Sequence, residues 1–130
     1  MLRRRLLFLV TITCAMIALW FWVPSRFDDA AERKGDTLAR MEVLKIGLAE
    51  FSRRHGRYPT QSEGLGRLGD ETPPIFQGVP RGSDEFELDG WGRRFAYEIR
   101  PDGRVVIRSL GANGVDETAE GDDITATVPQ

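Results

Sequence analysis

Five carboxylates fall within eight positions near the C-terminus: Asp116, Glu117, Glu120, Asp122 and Asp123. Like charges this close repel one another unless something neutralises them. Asn113 stands just before them, and Gly111, Gly114 and Gly121 are interspersed, so backbone carbonyls can turn inward between the side chains. Hard oxygens on a flexible loop suit calcium, which takes six to eight of them, although the EF-hand spacing is not met. An acidic run without periodicity equally describes a solvated, disordered tail. Both readings stand on composition alone.

Other chemistry is thinly provided. The lone His55 sits in Arg53-Arg54-His55-Gly56-Arg57, a basic run suited to a helix C-terminus, and no nucleophile is nominated for it to activate. Adjacent Asp122 and Asp123 are not two carboxyls held apart across a sugar. The sequence therefore predicts no enzyme. A single Cys14 excludes a disulfide framework and a Cys-rich zinc site. Residues 24–130 carry 15 basic and 20 acidic groups, a balance that argues against nucleic acid as a partner. Arg93, Arg94, Arg100, Arg104 and Arg108 lie on or beside a predicted hairpin and can face the acidic tail.

The elements that must position these groups begin with an apolar segment. Sixteen of the eighteen residues at 6–23 are apolar and none is charged, enough for a helix of roughly 27 Å, close to the hydrocarbon thickness of a bilayer. Arg3, Arg4 and Arg5 precede it, and Trp20 and Trp22 sit at its far end, the pattern of a retained anchor with its N-terminus cytoplasmic. A cleaved signal peptide fits less well, because Met16-Ile17-Ala18 is a poor cleavage site and bulky residues continue beyond it. Residues 27–51 then read as helix, with Leu38, Met41, Leu44, Leu48 and Phe51 on one face. Gly35 weakens the middle, and Asp36 or Thr37 can cap a fresh helix there, so one long helix or two in series both fit. His55-Gly56 reads as the stop.

Residues 57–84 are rich in Gly and Pro and read as loop with a short helix around 62–68. Phe95, Tyr97 and Ile99 alternate with Ala96, Glu98 and Arg100, Pro101-Asp102-Gly103 is a turn, and residues 104–109 are rich in β-branched residues, which predicts a hairpin. Phe86-Glu87-Leu88 offers a further short strand. The tail from Gly111 onward is read as lacking periodicity. The resulting fold class is α+β: a transmembrane helix at 1–23, a helical stalk and core helix at 24–55, and a domain at 56–130 in which the amphipathic helix covers a small antiparallel sheet.

Three blocks now carry a resemblance. They are His55-Gly56-Arg57-Tyr58-Pro59-Thr60-Gln61-Ser62-Glu63-Gly64-Leu65, then Asp89-Gly90-Trp91-Gly92-Arg93-Arg94-Phe95-Ala96-Tyr97, then Ser109-Leu110-Gly111-Ala112-Asn113-Gly114 followed by Asp122-Asp123-Ile124. In order and spacing, residues 38–124 resemble the major pseudopilin family of type II secretion, the G proteins of the general secretion pathway. The resemblance implies a pilin-like fold with a C-terminal loop that binds one calcium ion. Asn113, Asp122 and Asp123 would offer side-chain oxygens, and Leu110 and Val115 backbone carbonyls. Asn113 stands where the family usually has Asp, which removes one charge from the site. Tyr58, Pro59 and Trp91 read as packing and turn residues.

The N-terminus departs from the family pattern. Arg5-Leu6-Leu7-Phe8 has no Gly before the apolar run, and residues 6–23 hold no acid, whereas pseudopilins carry a Gly-Phe cleavage site and a glutamate shortly after it. The expectation is a single-pass inner-membrane protein with its C-terminal domain in the periplasm. It would act as a structural or accessory part of a type II secretion or pilus-like system. Its expected partners are other subunits of that system, with neither nucleic acid nor a small-molecule substrate. The alternative is a calcium-dependent periplasmic binding or adaptor module that does not assemble into a filament.

Overall fold

The computed structural model describes the backbone of residues 2–118 and 120–128, and the side chains of 29–118 and 120–128. It divides into two compact units, residues 1–32 and 33–130. One helix, α1, runs Leu2–His55 without a break, so Gly35 does not split it and neither Asp36 nor Thr37 acts as a cap. The predicted membrane segment at 6–23, Cys14 included, lies outside the residues whose side chains are described. Among those that are described, no helix is long and apolar enough to cross a membrane.

In the second unit, the buried side chains of α1 are Thr37, Met41, Leu44, Leu48 and Phe51. Their spacing of four, three, four and three keeps one stripe inward. Leu38, expected on that stripe, is instead 47% exposed. Thr37 takes its place because the chain at Gly90 comes down onto the helix there. Thr37 Oγ1 donates to the Arg33 carbonyl at 2.8 Å and accepts the Gly90 N–H at 2.9 Å. A Cβ on Gly90 would collide with the Arg33 carbonyl. The helix stops as expected at Gly56, whose φ of +69° and N–H to the Ser52 carbonyl at 2.8 Å close the last turn.

Leu65–Leu68 forms a short 3₁₀ turn that buries Leu65 and Leu68, within the helix predicted at 62–68. Three strands follow: β1 (Ala96–Ile99), β2 (Val105–Ser109) and β3 (Ile124–Val128). They form one antiparallel sheet in the order β1-β2-β3. The predicted hairpin is β1 and β2. The third strand corrects the reading of the tail as aperiodic. Ile124 and Val128 point into the core while Thr125 and Thr127 are exposed, a period of two that the neighbouring acids obscured. Glu85–Glu87 is a 3₁₀ turn rather than a strand, with only an isolated bridge from Leu88 to Arg94; the bend returns the chain toward β1.

The core lies between the stripe of α1 and the sheet. Met41, Leu44, Leu48 and Phe51 pack with Leu65, Leu68, Phe95, Tyr97, Val105, Ile107, Ile124 and Val128. Tyr97 keeps its hydroxyl satisfied by donating to the Pro59 carbonyl at 2.7 Å, and burial pushes its phenol up to about 12. Central β2 is held from both sides, pairing Ile107 with Tyr97 and with Ala126. This fixes the two ends of the segment between β2 and β3, which carries the acidic residues.

Candidate metal centre

The acidic segment leaves β2 at Ser109 and re-enters the sheet at Ile124. Its entry is tied down by Asp89, which is 2% exposed. Asp89 Oδ1 accepts the N–H groups of Trp91 and Arg93, both at 2.9 Å, and Oδ2 accepts the Ser109 hydroxyl at 2.6 Å. Ser109 Oγ in turn accepts the Gly111 N–H at 3.2 Å. A buried carboxylate needs such partners. Asp89 thus fastens the Asp-Gly-Trp-Gly block to the start of the loop.

Within the loop the carboxylates organise the backbone. Asp122 Oδ2 accepts the N–H groups of Ala112 and Asn113 at 2.6 and 2.9 Å. Those contacts, the Asn113 N–H foremost, hold its carboxyl below the usual range. Asp123 Oδ2 accepts the Glu117 N–H at 3.2 Å, and Glu117 Oε2 accepts the Asp122 N–H at 3.1 Å. The loop is closed on itself, so the alternative of a disordered tail does not describe it. At Gly111 a Cβ would run into the Asp122 backbone, which is why this crossing takes a glycine.

The consequence is a cluster of like charges. One carboxylate oxygen from each of Glu117, Asp122 and Asp123 lies within 4.8 Å of the other two. Two guanidinium groups stand beside it. Arg108 pairs with Asp116 and lies 3.6 Å from Asp123 Oδ2, and Arg93 donates to the Gly111 carbonyl. Of the five arginines expected to face the tail, these two do. Arg94 pairs with Asp84 and Glu87, and Arg104 with Asp102. Asp122 Oδ1 is shut off from solvent and accepts no hydrogen bond. An orphaned anionic oxygen beside two further carboxylates suits a hard cation.

The five residues expected as ligands are distributed unequally. Asp122 and Asp123 meet in the cluster. Asn113 contributes its backbone N–H to Asp122, while its side-chain Oδ1 accepts the N–H of Val115 at 2.7 Å. The Leu110 carbonyl accepts the Gly114 N–H at 3.0 Å, leaving its second lone pair for a further contact. Val115 is 57% exposed. Glu117, in the sequence only one acid among five, joins Asp122 and Asp123 in the cluster. The signal was its place five residues before Asp122 with Gly121 between, a spacing that only a closed turn makes meaningful.

His55 lies elsewhere. Its Nε2 is 2.8 Å from Glu71 Oε2 and its ring rests on Phe51 at 4.3 Å between centroids, which is a packing role at the end of α1.

The fold agrees with comparisons to known proteins. A family model described as type II secretion system (T2SS), protein G, matches residues 23–127. Among solved structures, the chain is similar to the major pseudopilin from the type 2 secretion system of enterohaemorrhagic Escherichia coli. The identity is 25% and the TM-score 0.52, covering 78% of this chain and 91% of that one. No curated protein matches the chain significantly. With the helix, the three-stranded sheet and most of the length accounted for by one family, the chain belongs to the type II secretion system protein G family.

Proposed function

We propose that this chain is a pseudopilin-like structural component of a type II secretion or pilus-like system, held in the inner membrane by residues 6–23 with its C-terminal domain in the periplasm, and that its acidic loop takes one calcium ion. The observation that carries the calcium reading is the carboxylate cluster of Glu117, Asp122 and Asp123, with Asp122 Oδ1 buried and unmatched. Asp122 and Asp123, with the carbonyls of Leu110 and Val115 and the side chain of Asn113 expected from the sequence, are the donors available. Calcium, when bound, supplies the positive charge that offsets the repulsion between them and ties the loop to β3. Its partners are other subunits of the same system rather than a substrate.

The accessory character rests on the apolar segment, which has neither an acid nor a preceding Gly. This favours a membrane-tethered calcium-dependent adaptor as the second reading. Three measurements separate these readings. Calcium titration of the full chain in detergent, read by melting temperature, is expected to raise it; no shift at millimolar calcium would sink the metal site. A deletion strain is expected to lose secretion or piliation, and normal secretion would leave the adaptor reading. Mass spectrometry of the mature N-terminus is expected to find it unprocessed; a shortened, N-methylated chain would make it an ordinary filament subunit.

A further inference from the structure

We propose that Glu117 is the third side-chain ligand of the calcium site, in the role that sequence reasoning gave to Asn113. This rests on the calcium reading above. Three features of the loop carry it. First, a carboxylate oxygen of Glu117 is within 4.8 Å of carboxylate oxygens of both Asp122 and Asp123. Those distances allow three anionic oxygens to share one ion, whose individual contacts are about 2.3–2.6 Å.

Second, the loop is shaped around this side chain. Gly121 has a φ of +60°, and a Cβ there would occupy the place of the Glu117 carboxylate. Any other residue would be strained in backbone and would push that carboxylate away. The main chain of Glu117 is pinned at both ends. Its N–H donates to Asp123 Oδ2 at 3.2 Å, and its carbonyl accepts the Glu120 N–H at 3.2 Å. The carboxylate itself accepts the Asp122 N–H at 3.1 Å. A ligand pre-positioned in this way loses little freedom when an ion arrives.

Third, Asn113 is otherwise employed. Its Oδ1 closes a turn onto the Val115 N–H at 2.7 Å, and as a neutral amide it brings no charge. Glu117 supplies the charge that Asn113 lacks, so the cluster holds three formal negative charges without an acid at position 113.

The test is calorimetric titration of the full chain in detergent with calcium chloride, alongside melting in EDTA. Glu117→Gln is expected to weaken calcium binding at least about tenfold, as does Asp122→Asn, while Asn113→Ser stays within about threefold of the parent. In EDTA, Glu117→Gln is expected to melt with the parent, because the amide oxygen still accepts the Asp122 N–H. A merely structural role for Glu117 predicts the reverse: early melting in EDTA and unchanged affinity. Should Glu117→Gln melt early, Glu117→Asp decides. It keeps the charge but withdraws it by one methylene, so lost affinity supports the assignment and parental affinity overturns it. Parental affinity in Glu117→Gln with binding lost in Asp122→Asn removes Glu117 from the site and leaves the calcium reading intact. No binding by the parent chain overturns both.

Discussion

Two groups of carboxylates face opposite situations in this molecule. Around the C-terminal end of α1, each acid meets a base. Glu50 takes Arg53 and Arg54 at 2.8 and 2.7 Å, Glu63 takes Arg57 at 2.7 Å, and Glu71, with its side chain 5% exposed, takes His55 at 2.8 Å and Arg67 at 3.0 Å. Arg57 and Arg67 also lie over Phe51, 5.7 and 5.8 Å from its centroid. In the loop between β2 and β3, by contrast, three carboxylates meet one another, and Arg108, paired with Asp116, stands 3.6 Å from Oδ2 of Asp123. The first region is electrically complete from its own residues. On the calcium reading proposed above, the second is completed by a cation from outside. On that reading, the same residue type serves structure in one place and recruitment in the other.

The sharpest way to break this contrast is to remove an acid from the complete region. Glu71→Ala leaves Arg67 without its counter-charge and the His55 ring without its hydrogen-bond partner. It is expected to cost about 3 kcal/mol, the low end for a broken buried pair, since both bases can reach water. The loss should be the same in calcium and in EDTA when read by melting of the full chain. A loss that calcium repairs would mean that the two regions are not independent.

The loop should behave in the opposite way. At about a hundred times its dissociation constant, calcium is expected to add roughly 2.7 kcal/mol to stability. Asp123→Asn should abolish that increment. Melting curves with and without EDTA read both. A variant that still gains from calcium would remove Asp123 from the site.

Acid distinguishes the regions further. The Arg53 and Arg54 guanidinium groups hold the Glu50 carboxyl down at about 2, and Arg57 does the same for Glu63, at about 2. Folded values below the ordinary 4.5 mean that these pairs contribute fully above that pH and lose their contribution as pH falls toward 2. In EDTA, the melting temperature is expected to drop across this window, and Glu63→Gln should flatten part of the drop. Calcium affinity should also fall in acid, because carboxylate ligands must be deprotonated to bind. An affinity indifferent to acid would argue against carboxylate ligands.

Legibility differed between the regions for physical reasons. The stripe Met41, Leu44, Leu48 and Phe51 was readable because helical periodicity alone selects it. The β1–β2 hairpin was readable because Pro101-Asp102-Gly103 separates an alternating run from one rich in β-branched residues. Leu38 was misplaced because Thr37 is drawn inward by a loop 53 residues away, through the Gly90 N–H, and no local pattern contains that contact. The strand Ile124–Val128 was hidden behind the acids that precede it. At the site, Asp122 and Asp123 followed from composition and from resemblance. Glu117 did not, since its nearness to them depends on how Gly121 folds the turn.

The smallest expected effect tests the loop most finely. Asn113→Asp adds a negative charge at an exposed position while its Oδ1 can still accept the Val115 N–H. The new charge then acts on calcium through solvent rather than by contact, and the expected gain in affinity is about threefold. A gain of that origin is screened, so it should shrink when titrations move from low to high salt. The loss caused by Glu117→Gln removes a direct contact and should change little with salt. For the same reason, Asn113→Asp should rescue Glu117→Gln only in part. Full rescue, indifferent to salt, would make position 113 a ligand in its own right and return the loop to the arrangement that its sequence first suggested.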